Sequence, residues 1–223
     1  MVTLFSLVQK GGVIMVPILL LSIGTIACAL DRAWFWHRLL SQEKQLVHDI
    51  LAAARVDLRE AAIIAEKAQS SPISRFLLAA LQLKQPSPET FRLAMETAAD
   101  EEFMHMSRGN TVLEASTTIA PLLGLLGTVT GLIITFNNLN IGGGGSNVDL
   151  SKAAVGISEA LITTAGGMIV AIIAASLLRL FSRLQRQQVD YFAQVGSKLE
   201  LIYRHVWYEP HFQKNQTFSE TKV

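Results

Sequence analysis

Gly156-Ile157-Ser158-Glu159-Ala160-Leu161-Ile162-Thr163-Thr164-Ala165-Gly166-Gly167 opens a run in which Glu159 is the only ionisable side chain between Lys152 and Arg179. An apolar run of about 18 residues or more has the length of a membrane span, and a charge inside one costs about 2.5 kcal/mol or more unless it meets protein or water. The run is therefore read as a transmembrane helix and Glu159 as a functional candidate. On a wheel of about 100° per residue, Gly156, Ala160, Thr163, Thr164, Gly167, Ala171 and Ala174 share the half-circle that begins at Glu159. Leu161, Ile162, Met168, Ile169, Ile172 and Ile173 fill the other half. Small residues let helix backbones approach closely, so the small polar face is expected against protein or a cavity and the bulky face against lipid or another apolar helix. Glu159 and Thr164 stand about 140° apart, so whatever borders that face is wide.

The chain as a whole agrees. Its 223 residues are 50% hydrophobic and 17% charged, with a positive mean hydropathy, too apolar for an ordinary soluble domain and natural for an all-α membrane protein. A net charge of +1 without a concentrated basic stripe gives no argument for nucleic acid. Cys28, the single cysteine, lies in an apolar run, so there is no internal disulfide and no multi-cysteine metal site. His37, His48, His105, His205 and His211 lack ligand spacing, and there is no nucleophile-elbow or nucleotide-binding motif. Neither an enzyme nor a metal or cofactor is expected.

Outward from the third span, the chain divides by composition. Residues 1–10 form a short N-terminus, and 11–36 a first span, uncharged from Gly11 to Leu30 and followed by Arg32, Trp34, Trp36 and Arg38 as an interfacial anchor. Ala27-Cys28-Ala29 resembles a signal-peptide cleavage site, but the apolar stretch is long for a signal core and the leading charge weak, so the helix is read as retained. Residues 37–116 are polar and helix-forming, with helix starts at Ser71-Pro72 and Ser87-Pro88-Glu89. From Ser87 a single helix of about 50 residues is expected to reach Phe136, weakened at Gly109 and kinked by Pro121. It contains the second span, 117–139, where Thr117, Pro121, Gly124, Thr128, Gly131 and Thr135 form another small-residue stripe. A Gly-rich loop, 140–150, carries Gly142-Gly143-Gly144-Gly145-Ser146 and lacks the Gly-Lys-Ser/Thr ending of a phosphate loop. The third span, 151–178, is capped by Asp149 or Ser151, and a further helix, 179–208, carries Val189, Phe192, Val195, Leu199 and Ile202 before a polar tail, 209–223. Arg32, Arg38, Lys44, Arg108, Arg179, Arg183 and Arg186 flank the spans on one side against Lys10 and Lys152 on the other. The positive-inside rule then places the N-terminus outside, and the helical domain and C-terminus in the cytoplasm.

Three spans with one carboxylate cannot enclose a water-filled path alone, so a symmetric oligomer is expected. Glycines and threonines at this spacing also serve helix packing, and a carboxylate bonded within a closed, non-conducting bundle is the alternative reading.

Ala120-Pro121-Leu122-Leu123-Gly124-Leu125-Leu126-Gly127-Thr128-Val129-Thr130-Gly131, together with the stretch quoted first, resembles the paired signatures of the ExbB/TolQ proton-channel family, more distantly related to MotA. The resemblance implies that Thr128 and Thr164 are pore threonines, with Thr163 beside them, and that Glu159 is the intramembrane glutamate. It makes Pro121 the helix-two kink, with Gly124, Gly127, Gly131 and Gly167 as packing glycines. Relatives often have Ile-Pro-Ala in helix three where this chain has Ile172-Ile173-Ala174, so a kink there is not assumed. The family further implies a pentamer in the bacterial inner membrane, surrounding an ExbD- or TolR-like dimer and driving a TonB- or TolA-like protein. The chain looks most like ExbB, although the residues do not separate that role from TolQ.

Overall fold

The structure, a computed structural model, describes residues 11–40, 43–138 and 147–210. Their regular elements are helices: α1 (Met15–Leu40), α2 (Glu43–Ala54), α3 (Leu58–Lys67), α4 (Pro72–Leu81), α5 (Pro88–Met106), α6 (Asn110–Asn138) and α7 (Asn147–Ile202). Helices α1, α6 and α7 are long and apolar enough to cross a membrane, as the sequence requires of an all-α membrane protein. The expected N-terminus 1–10, the glycine run of the 140–150 loop and most of the tail lie outside the described residues, whereas Asp149 and Ser151, expected as caps, fall inside α7, which already begins at Asn147.

Prolines at the first helical position start α4 and α5 where Ser71 and Ser87 announce them, and Ser87 accepts the backbone N–H of Thr90. Asp57 caps α3 by accepting the N–H of Arg59 at 2.8 Å, a start the sequence reading passed over. The single helix expected from Ser87 to Phe136 is two helices. Helix α5 stops at Met106, and the chain turns through Gly109, whose φ of +89° belongs to the left-handed region that ends helices. A Cβ there would stand 3.0 Å from Cys28 Sγ and 3.1 Å from Arg32 Cδ, so the turn also needs glycine for space. Helix α6 continues through Pro121, whose ring removes the N–H that would bond Thr117. Helix α7 is unbroken through Ile172-Ile173-Ala174 and ends in one π-helical turn, Tyr203–Tyr208.

The chain forms two compact units, one of residues up to Ala33 with Gly109–Ser182, the other of Trp34–Arg108 with the residues from Arg183. In the first, Ile18, Ala120 and Val170 from α1, α6 and α7 meet in a core flanked by Ile14, Leu21, Leu123 and Ala171. Thr25 on α1 lies 2.9 Å from the hydroxyl of Ser116 on α6, and both are buried.

In the second unit, α7 supplies the central strip. Phe192 packs on Phe76 and Phe103 at 4.9 and 5.2 Å, and Tyr203 stacks on Phe91 at 4.3 Å. Burying each such ring stabilises by about 1.5–3 kcal/mol. Tyr203 donates its O–H to Pro86 O at 2.5 Å, and Trp207 its indole N–H to Ala54 O at 2.9 Å. Arg75 meets Glu102 through two N–H donors, and this hydrogen bonding raises the arginine's proton affinity. Gln188, buried, donates to Glu43, also buried, at 3.0 Å. Burial pushes the Glu43 carboxyl up, and the Gln188 hydrogen bond offsets only part of that. The buried face of α7 here is Gln188, Phe192, Val195, Leu199 and Tyr203, with Val189 exposed and Ile202 at the edge. Of the expected interfacial anchor, Trp34 is exposed with Arg38 over its ring at 5.9 Å, whereas Trp36 is 3% exposed and belongs to the core.

Candidate functional site

The two small-residue stripes of the first unit face each other. On α7 the buried positions Ala153, Gly156, Ala160, Thr163, Gly167, Val170 and Ala174 alternate three and four residues apart, the spacing that keeps one helix face on a neighbour. On α6 the matching line is Leu113, Ser116, Ala120, Gly124, Gly127, Gly131 and Thr135. It keeps Gly124, Gly131 and Thr135 of the expected stripe, takes in Ala120 and Gly127, and leaves Thr117, Pro121 and Thr128 half-buried at its edge.

Backbone approach explains the glycines. A Cβ on Gly124 would lie 3.0 Å from Thr164 Cα, and one on Gly131 2.8 Å from Ala160 Cβ and 2.9 Å from Gly156 O. The Thr163 hydroxyl occupies the space of a side chain at Gly127, and Ala120 O that of one at Gly167. Gly156 is likewise filled by the Thr135 hydroxyl. Contacts this close let ordinary dispersion hold helices together in a solvent as apolar as their side chains.

The threonines divide by what their hydroxyls reach. Thr163 is 1% exposed and bonds the carbonyls of Ala160 and Glu159 at 2.9 and 3.1 Å. Thr164 crosses the contact to Gly124 O at 2.9 Å, with Ala160 O at 3.1 Å as its alternative within the helix. Thr128 stands outside the seam, half-buried, with its hydroxyl on Leu125 O at 2.7 Å. The structure therefore gathers Thr163 and Thr164 with Gly124, Gly127, Gly131 and Gly167 into one α6–α7 contact and leaves Thr128 apart from it. Hydroxyls bonded to carbonyls three or four residues back are satisfied without a second helix, so the membrane places no demand on Thr128 for a partner.

Glu159 is half-buried. Its carboxyl group lies against the backbone of Gly12, in the turn that leads into α1, and fills the position a side chain at residue 12 would take. The first span reads from the sequence as a membrane helix with no part in the site, and the only signal for Gly12 is the pair Gly11-Gly12 at its head. Among the described residues no three of His, Cys, Asp and Glu gather as a metal site. The arrangement offers one ionisable group inside an apolar helix, flanked by close-packed backbones and by hydroxyls able to exchange hydrogen-bond partners.

The profile of the MotA/TolQ/ExbB proton channel family matches residues 68–194. The chain is 64% identical to the ExbB-like 1 protein of Synechocystis sp. over 202 residues, 91% of this chain and 80% of that one. It is 37% identical to the biopolymer transport protein ExbB of Salmonella typhimurium over 93 residues, 42% of this chain and 36% of that one. It is also 31% identical to the Tol-Pal system protein TolQ of Haemophilus influenzae over 132 residues, 55% of this chain and 56% of that one.

Proposed function

This membrane chain belongs to the MotA/TolQ/ExbB proton channel family, and on that premise we propose that it is the ExbB-like subunit of a proton-driven motor in the inner membrane. Five copies surround the transmembrane helices of an ExbD-like dimer, and proton passage drives work on a TonB-like protein that energises transport across the outer membrane. The N-terminus lies on the periplasmic side and the C-terminus in the cytoplasm. Likeness to an ExbB-like protein along nearly the whole chain favours this role over that of TolQ, whose likeness is partial.

The observation that carries the reading is Glu159, the sole ionisable side chain of its span, half-buried on a helix that packs closely on α6. A carboxylate inside an apolar span costs about 2.5–3.5 kcal/mol, a cost retained for a purpose other than packing. Thr128 lies outside the seam, and in this reading its oxygen, whose O–H is donated to Leu125 O, accepts a hydrogen bond from a neighbouring chain.

The test is co-expression with an ExbD-like partner. Glu159→Gln and Thr128→Val should leave expression and ring formation largely intact and abolish energy-dependent uptake. Thr164→Val should reduce uptake as well. Detergent sensitivity in place of an uptake defect would assign the TolQ-like role. A second reading, a non-conducting scaffold, draws on the Thr163 and Thr164 hydroxyls, which end on backbone carbonyls; wild-type uptake in Glu159→Gln would favour it.

A further inference from the structure

We propose that Gly12 is a positioning residue for Glu159: the bare backbone at residue 12 is the seat in which the glutamate carboxyl rests, so that α1 takes part in the proton site. This rests on the reading of Glu159 as a residue of the proton pathway. Two independent features require glycine at this position. Its φ of +63° lies in the left-handed region, which side-chain-bearing residues seldom adopt. Independently, a Cβ there would coincide with the Glu159 carboxyl and stand 3.2 Å from its Cγ, so the acid and a side chain at residue 12 exclude each other. The turn is tied into the start of α1, where the N–H of Met15 bonds Gly12 O at 3.2 Å.

The neighbouring glycine behaves differently. A Cβ on Gly11 would first meet Met15, at 3.1 Å from its Cβ and Cγ and 3.2 Å from its sulfur, and these nearest contacts involve no atom of Glu159. Gly12 thus has a specific relation to the acid that adjacency and composition alone do not produce. A glutamate on a straight helix has several rotamers open to it, and a seat formed by the turn that leads into α1 selects among them. The effect is to aim the carboxyl toward α1 and hold it there.

The experiment uses the full chain in lipid nanodiscs. Glu159 is labelled with a hydrophobic carbodiimide and the labelling rate is read by mass spectrometry in the wild type, Gly12→Ala and Gly11→Ala. The rate should change severalfold in Gly12→Ala, whose new methyl group displaces the carboxyl, and stay at the wild-type value in Gly11→Ala. A double-mutant cycle in thermal stability supplies the second measure. The loss caused by Gly12→Ala should shrink in a Glu159→Ala background, because only backbone strain then remains. Unchanged labelling, or equal losses in the two backgrounds, overturns the proposal. Where Gly12→Ala does not express, adding Glu159→Asp should restore expression by withdrawing the carboxyl from the seat; no recovery overturns it. Neither measure depends on flux, so a Glu159→Gln variant with normal uptake would remove the proton-pathway role and leave the seat to be judged on labelling and coupling.

Discussion

Glu43 and Glu102, both buried, answer to different neighbours. Glu43 is 4% exposed with Gln188 as its hydrogen-bond donor, and burial raises its pKa above the ordinary 4.5. The folded state therefore holds a proton at Glu43 over a range in which the unfolded chain has lost it. Its contribution to stability is complete below the unfolded value and is lost as pH rises through the folded one. Wild type should accordingly lose thermal stability, relative to Glu43→Gln, as pH rises from about 4.5 through the folded value; parallel curves for the two proteins would dismiss the effect. The Arg75–Glu102 pair gives a second case. Arg75 is 41% exposed at its side chain and Glu102 8%, so Glu102→Ala should cost about 1–3 kcal/mol in unfolding experiments and Glu102→Gln less. Unlike them, Glu159 was legible beforehand, because a charge in an apolar run announces itself. Glu43 and Glu102 sit among other charges in a polar segment, and nothing in their local pattern marks them as buried. Gly12 was hidden for another reason, that its partner lies far along the chain.

Among the helices, starts were more legible than stops. Ser71-Pro72 and Ser87-Pro88 both mark helix starts through the fixed φ of proline, but only Ser87 caps with its hydroxyl, and Ser71 makes no side-chain cap hydrogen bond. Gly109 read as a tolerated weak point within a helix, whereas its positive φ ends α5 and separates it from α6. Whether a glycine bends or breaks a helix depends on the room around it, here set by Cys28 and Arg32. The faces of α6 and α7 were correctly identified as small, but their burial against each other within one chain is a product of the fold. Gly131→Val should separate α6 from α7, because the new methyl groups meet Ala160 and the Gly156 carbonyl; overpacking of this kind costs about 1–3 kcal/mol. Leu125→Val, on the exposed face of the same helix, should cost little. Similar thermal stability for the two variants would mean that the seam is looser than its contacts imply.

For the whole molecule, the case for an oligomer has narrowed. The glycine stripes satisfy each other inside one chain and the Thr128 hydroxyl is satisfied on Leu125 O, so Glu159 alone still calls for further copies. Native mass spectrometry of the protein in mild detergent should give five copies, and a monomer there and in nanodiscs would remove the pore. Cysteines introduced into a Cys28→Ala background test the orientation, with Gln69→Cys shielded from impermeant reagent in intact cells and Ser146→Cys reactive. The second unit carries a further consequence, for how the protein is made. Its aromatic core pairs Phe76 and Phe91, made early, with Phe192 and Tyr203, which leave the ribosome only after residues 109–182 have been added. At about 5–20 residues per second that interval lasts roughly 4–15 s. During it the apolar faces of α4 and α5 lie on a nascent chain that cannot yet close over them, and a chain released before Phe192 should be a substrate for chaperones and proteases.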